Sequence, residues 1–142
     1  MSSSRSSPRQ TQSVAVLVQP PENVAVNTII YPAIVVRAEV RWSPSTMSYL
    51  SAMATLYSSS GDIEYALRGN INKSPLEIQE DHAGAGGSGG SGSGIAAYFS
   101  FDDLSVASAG TFYINFSVMA WSHDQSACEV VGQANTNYFG VY

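Results

Sequence analysis

The sequence predicts a single all-β domain folded as an antiparallel β-sandwich, and three observations predict it. Apolar and polar residues alternate over several short segments, as in strands that bury one face. Turn residues separate these segments at short intervals. Charged residues make up only 12% of the chain and tyrosine occurs 8 times, a composition that favours strands. The length of 142 residues suits one domain.

The clearest alternation runs from Ile34 to Trp42. One face of this segment is apolar, and the other carries Arg37, Glu39 and Arg41, whose mixed charges suit a solvated surface. The same period of two predicts three further strands, at Leu50–Tyr57, Ile95–Phe101 and Phe112–Met119.

Shorter segments complete the predicted sandwich. Val14–Val18 is apolar on both faces, which predicts a strand covered on two sides, and Pro20 follows its end. Further short extended pieces are predicted at Glu64–Arg68, Leu76–Gln79, Glu129–Val131 and Asn137–Val141.

Two segments have compositions that oppose ordering. Residues 1–12 are polar and rich in serine, which predicts a disordered tail ahead of a domain at 13–142. Residues 83–94 hold seven of the 12 glycines, with only serine and alanine beside them, and predict a flexible loop within that domain. The sequence leaves open whether this loop is native or an engineered replacement for a longer one.

The charge of the chain argues against a nucleic-acid surface. The net charge is −5, and since Arg5 and Arg9 lie in the tail, residues 13–142 carry four basic residues against 11 acidic ones, 4 − 11 = −7. Affinity for nucleic acid comes largely from neutralising phosphates, which needs a basic patch. The remaining candidates for such contacts are Arg37, Arg41, Arg68 and Lys73.

The sequence also bears on the compartment. Cys128 is the one cysteine, so no intrachain disulfide can form, which fits a reducing environment. The first residues are polar and do not resemble a secretory signal. No apolar run approaches the roughly 20 residues that span a bilayer. We expect a nuclear or cytoplasmic protein without membrane contact.

Several stretches, in order along the chain, resemble the velvet domain of fungal regulatory proteins. The most specific is Tyr98–Val106 followed by Gly110–Phe116, an aromatic strand, Asp-Leu-Ser-Val, a glycine turn and a second strand ending in Phe. Weaker matches accompany it at Val16–Pro20, Tyr31–Val36, Leu67–Gly69 with Pro75–Leu76, and Asn137–Tyr142. The resemblance covers nearly the whole predicted domain.

This resemblance implies an Ig-like sandwich related to the Rel-type DNA-binding fold. It also implies homodimers or heterodimers, nuclear residence, and control of development, sporulation and secondary metabolism in fungi, with DNA binding by some members. The segment at 21–31 departs from the family pattern, because the family carries basic residues there and this chain has none, with one acid, Glu22.

We therefore expect a regulator that acts mainly through dimerisation, with DNA contact weakened or absent, since basic side chains in that loop would contact phosphates and bases. The predicted partner contact is the apolar cluster of the same loop, Ile29, Ile30 and Tyr31, unless the loop folds back onto the core. The alternative is a DNA-binding regulator that uses the four remaining basic residues.

Residues of catalytic type occur without a supporting motif. One catalytic interpretation makes Cys128 a thiol nucleophile with a base supplied by His123 and Asp124. No flanking motif supports it, and the pattern suits a polar turn and a small buried thiol. The Gly-rich loop lacks the Lys-Ser/Thr pair of a phosphate-binding loop. We predict no enzyme, no cofactor and no small-molecule substrate.

Metal ligands are equally sparse. Asp102 and Asp103 supply too few oxygens for calcium and suit a turn. Glu80-Asp81-His82 suits a solvated segment. We therefore predict no metal site.

Outward tyrosines leave one further alternative. Tyr49, Tyr57, Tyr98 and Tyr113 occupy outward strand positions, where they either pair across strands or stack on sugars or bases. Stacking on sugars would make this an unrelated adhesion or glycan-binding sandwich.

Overall fold

The computed structural model describes residues 13–42, 47–80, 93–124 and 127–142. In these ranges the chain folds into β-strands joined by turns and loops. The predicted tail at 1–12 and residues 81–92 of the Gly-rich region lie outside the described residues. The strands are β1 Ser13–Val18, β2 Asn23–Val24, β3 Ile34–Trp42, β4 Met47–Ser58, β5 Ile63–Glu64, β6 Leu67–Arg68, β7 Asn72–Lys73, β8 Glu77–Glu80, β9 Ser93–Phe101, β10 Ser105–Val106, β11 Gly110–Ser122, β12 Cys128–Asn135 and β13 Phe139–Val141.

Two sheets form the layers of the sandwich. The first sheet has the strand order β1-β3-β9-β8, and all its pairs are antiparallel. The second sheet has the order β2-β13-β11-β4-β5, with β12 also paired to β11 and β7 to β4. A separate ribbon of β6 and β10 lies among the connections. The prediction of an all-β sandwich is confirmed.

The core lies between the two sheets and follows the predicted alternation. Phe101 of the first sheet meets Phe116 of the second with ring centroids 4.7 Å apart. The other inward positions of the four long strands are buried as well: Ile34, Val36, Ala38 and Val40 on β3, Leu50, Ala52, Ala54 and Leu56 on β4, Ile95, Ala97 and Phe99 on β9, and Phe112, Ile114 and Val118 on β11.

Three predictions on shorter segments need correction. Leu17 is 51% exposed, so β1 is covered on one side only, because just one face of the first sheet packs against the second sheet. The piece predicted at 64–68 is two strands, since β5 pairs with β4 whereas β6 pairs with β10. The predicted flexible loop extends too far, because Ser93 and Gly94 already pair with β3.

One edge of the sandwich closes where β1 approaches β12. A Cβ on Gly132 would lie 2.6 Å from Cγ2 of Val14, so the absence of a side chain lets the two sheets come together. The fold thus exposes its two outer sheet faces and the loops at the end where β3 begins and β9 ends.

Phe116→Ala should lower the free energy of unfolding by about 3–5 kcal/mol, because it removes a buried ring and leaves a cavity between the sheets. Urea denaturation followed by circular dichroism measures this. The control is Tyr65→Ala, at a side chain that is 85% exposed, and it should change stability by less than about 0.5 kcal/mol. Equal losses for both variants would contradict the assigned core.

Candidate interaction surfaces

The loop between β2 and β3 is held by backbone hydrogen bonds on both of its sides. The amide of Val26 donates to the Tyr142 carbonyl at 2.7 Å, and the amide of Ile30 donates to the Leu104 carbonyl at 2.8 Å. The amide of Asn27 donates to the Val106 carbonyl at 2.8 Å. The loop therefore lies alongside β10, and its side chains have fixed directions.

This arrangement splits the predicted partner contact. Ile30 is 1% exposed and packs in the core, so it is not available to a partner, and the expectation for this residue is corrected. Ile29 and Tyr31 point outward, with 55% and 82% of their surfaces exposed. Ile30 anchors the loop, and its two neighbours are presented to solvent.

A third exposed side chain lies nearby. β10 runs between this loop and β6, so only two strand spacings, roughly 10 Å, separate the loop from the segment that carries Tyr65. Tyr65 is 85% exposed. Ile29, Tyr31 and Tyr65 are named here the loop surface.

Arg37 is engaged within the first sheet. Its guanidinium forms an ion pair with Glu39, and its Nε donates a hydrogen bond to the Tyr98 hydroxyl at 3.1 Å. The hydrogen bond to Glu39, then that to Tyr98, raises the pKa of Arg37 above its ordinary value. The guanidinium carbon also lies 5.8 Å from the centroid of the Tyr98 ring. The charge of Arg37 is thus already balanced by a carboxylate.

The other basic candidates do not join Arg37 in a patch. Nζ of Lys73, on β7, lies 3.4 Å from Oδ1 of Asp102, the residue that follows β9. This ion pair therefore links the two sheets. Arg68 is exposed and donates to the carbonyl of Tyr65 at 2.8 Å. Arg41 lies in β3, and its side chain is outside the described residues.

Acidic residues predominate in the connections at the end of the sandwich where β3 begins and β9 ends, which is called here the loop end. Its described connections and short strands contain two cations, Arg68 and Lys73, and Lys73 is paired with Asp102. They contain five carboxylates: Glu22, Asp62, Glu64, Asp102 and Asp103. Phosphates approaching this end would meet like charge, which opposes binding of nucleic acid there.

The paired aspartates have structural partners. The Asp103 carboxylate accepts a hydrogen bond from the backbone amide of Asn70 at 3.1 Å, and Asp102 accepts from Lys73. Gly69 has φ +107°, and a Cβ there would clash with the Asp103 carbonyl, so the Leu67-Arg68-Gly69 stretch needs glycine at its third position. The turn role predicted for both aspartates agrees with these contacts.

The residues of catalytic type also form a turn. The Ser122 hydroxyl donates to Asp124 at 2.8 Å, and the amide of Ala127 donates to the Ser122 hydroxyl at 3.2 Å. Cys128 is exposed and is the first residue of β12, which corrects the expectation of a buried thiol.

Among the described residues no group of three His, Cys, Asp or Glu side chains is placed to hold a metal ion. Asp81 and His82 lie outside them.

Tyrosines on the outer face of the second sheet pair across strands. The rings of Tyr57 and Tyr113 are stacked at 5.2 Å, and Tyr138 meets Tyr113 edge-on at 5.4 Å. At the other end of the face Tyr49 stacks with Trp121 at 5.9 Å. The cross-strand alternative is confirmed for these tyrosines, whereas Tyr98 pairs with Arg37 on the first sheet.

Sequence reasoning missed Trp121 and the face to which it belongs. The indole of Trp121 donates to the Ser51 hydroxyl at 2.9 Å, which fixes the ring on β4. A signal was present in the sequence, because neither Met47–Ser58 nor Gly110–Ser122 contains a charged residue.

These observations define a small β-sandwich with aromatic side chains on its surface. The chain belongs to the velvet factor family, whose family model, described as Velvet factor, matches residues 2–142. This is a family of regulatory proteins and not of enzymes. A search among curated proteins found no match. The described part of the chain contains no helix long and apolar enough to cross a bilayer.

The Arg37–Glu39 ion pair should contribute about 0.2–1 kcal/mol in a double-mutant cycle of Arg37→Met and Glu39→Gln, because both side chains are partly solvated. The coupling should fall towards zero in 1 M salt, where the Debye length is about 3 Å. Chemical denaturation of the four proteins measures it. A control cycle of Lys73→Met with Glu39→Gln should be additive within about 0.5 kcal/mol. A salt-independent coupling would contradict the assignment.

Proposed function

We propose that this domain is a transcriptional and developmental regulator that works mainly by binding other proteins, either a second copy or another velvet factor, with DNA contact weak or absent. The observation that carries the proposal is the loop between β2 and β3. Its backbone is fixed by hydrogen bonds, and the side chains of Ile29 and Tyr31 are exposed to solvent. Large exposed apolar side chains on an ordered loop bind a partner without a large ordering cost.

Membership of a family of regulatory proteins supports the regulatory role in this proposal. A regulator that contacts DNA weakly or not at all would act through protein partners. A nuclear or cytoplasmic location belongs to the same proposal.

The placement of the basic residues supports the second half of the proposal. DNA affinity rises with the number of phosphates that cations neutralise. Arg37 and Lys73 are already paired with carboxylates, so binding DNA through them would first break ion pairs. The loop that carries basic residues in the family pattern has none here and lies at an acidic end.

A DNA-binding role remains the second candidate because Arg68 is exposed and its hydrogen bonds go to backbone carbonyls. Its charge is therefore available to a phosphate. One such cation contributes roughly one unit to the log–log salt slope, far below the several units of a DNA-binding domain.

Tyr31→Ser and Ile29→Ser should each weaken association with a velvet-factor partner at least tenfold, because each removes a large exposed anchor. Isothermal titration with a second velvet factor measures this. The matched control is Leu76→Ser, at a side chain that is 75% exposed and lies outside the loop surface, and it should bind as the parent does. A chain that stays strictly monomeric and captures no velvet factor would contradict the proposal.

Titration of DNA binding against salt should give no retardation of random-sequence DNA near 150 mM salt and a log–log slope of about one or less at lower salt. Fluorescence anisotropy with labelled duplexes measures the slope. A slope of four or more, lost in Arg68→Gln, would establish the second candidate instead.

A further inference from the structure

The outer face of the second sheet carries no charged side chain among the described residues. Directly paired residues of neighbouring strands share a face, so the register identifies its members. They are Tyr49, Ser51, Met53, Thr55 and Tyr57 on β4, Tyr113, Asn115, Ser117, Met119 and Trp121 on β11, and Cys128, Val130, Gln133 and Asn135 on β12. By contrast, the outer face of the first sheet holds Arg37, Glu39 and Glu77.

The composition of this face is that of an interface core. Such cores are depleted in charge and enriched in tyrosine, tryptophan and methionine. The chain carries a net charge of −5, so two copies repel each other wherever their acidic residues meet. The uncharged face lets two copies approach without burying a carboxylate.

The aromatic pairs of this face are placed symmetrically about its centre, whereas the residues between them differ, with Asn115 on one side and Met119 on the other. Met53 of β4 pairs with Ser117 of β11, and this pair continues to Asn72 on one side and Gln133 on the other. These four residues are named here the central rung. The stacked pair of Tyr49 and Trp121 lies four residues to one side of the rung, and the stacked pair of Tyr57 and Tyr113 lies four residues to the other.

This spacing fits a two-fold axis. Four residues of strand span roughly 13 Å, so the two aromatic pairs are equidistant from the central rung. The axis runs between the two copies, parallel to the sheets, perpendicular to the strands and directly above the central rung. A rotation of 180° about it places the Tyr57–Tyr113 pair of one copy on the Tyr49–Trp121 pair of the other. Residues on the rung then face their own copies, as in an isologous dimer.

We propose that a second copy of this chain docks face to face on the outer face of the second sheet, about a two-fold axis over the central rung. The proposal rests on the proposed function for self-association, assigns it to this face, and leaves the loop surface to other partners. Gln133 on the central rung suits the contact, because its side-chain amide both donates and accepts hydrogen bonds and would face its own copy.

The size of the face sets the expected affinity. Nine residues of β4 and the width of three strands give roughly 30 Å by 14 Å, or on the order of 400 Å² in projection. Typical stable interfaces bury about 800 Å² of accessible surface per partner. The contact is therefore at the small end of the range, where interfaces are typically weak and transient, so the dimer is expected at high protein concentration.

The test places a charge on the two-fold axis. Ser117→Glu and Ser117→Lys each bring two equal charges together in a homodimer, and each should weaken self-association at least tenfold. An equimolar mixture of the two variants should restore the dimer, because opposite charges then meet. Sedimentation velocity between about 1 and 300 μM measures both effects. The matched controls are Ser100→Glu and Ser100→Lys, at a serine paired with Val35 on the outer face of the first sheet, and they should dimerise as the parent does.

The outcomes separate this inference from the proposed function. A parent dimer that persists in both Ser117 variants, or a mixture that fails to recover it, overturns the inference and leaves the proposed function intact. A parent dimer lost in Tyr31→Ser but retained in Ser117→Glu also overturns it and assigns self-association to the loop surface. A parent that is monomeric up to 300 μM overturns the inference, and the proposed function fails with it only if no velvet factor is bound either.

Discussion

The register of β4 against β11 is the constraint on which the rest of the molecule depends. The two strands pair from Phe112 opposite Ser58 to Trp121 opposite Tyr49. Since successive side chains alternate between faces, this one alignment sends every second residue into the core and the others outward. A slip by one residue would expose Phe116 and bury Tyr113. The core and the uncharged outer face are therefore two consequences of the same pairing.

Charge is distributed in keeping with that constraint. The long strands of the second sheet carry none, while the first sheet balances Arg37 with Glu39 on its outer face. Lys73 reaches from β7 to Asp102, so this ion pair links the second sheet to the end of β9 in the first. Five of the 11 acidic residues lie at the loop end. The described part of the molecule therefore presents an uncharged face on the second sheet, a charged face on the first and an acidic loop end.

Much of the fold followed from the sequence because period-two burial is a local signal. The bounds of β3 agree with the prediction, and the inward residues of β4, β9 and β11 are those expected. What depends on tertiary contact was not predictable. Leu17 is exposed because only one face of the first sheet is covered, and an apolar residue on each side of a strand does not reveal whether a second layer lies over both. Ile30 is buried while its neighbours are not, because hydrogen bonds to β10 set the direction of each side chain in the loop. The absence of charge in β4 and β11 was visible, yet its meaning required the register.

The most direct measurement of the central claim is the dilution dependence of methyl signals in the ¹³C-methyl-methionine and isoleucine NMR spectrum. Met53 lies at the centre of the uncharged face, and Ile78 lies on β8 at the edge of the first sheet, where it is 53% exposed. We expect the Met53 methyl signal to shift as the protein is diluted from about 300 to 10 μM while the Ile78 methyl signals stay in place. A Met53 signal that is constant over a range in which the protein changes from dimer to monomer would contradict it.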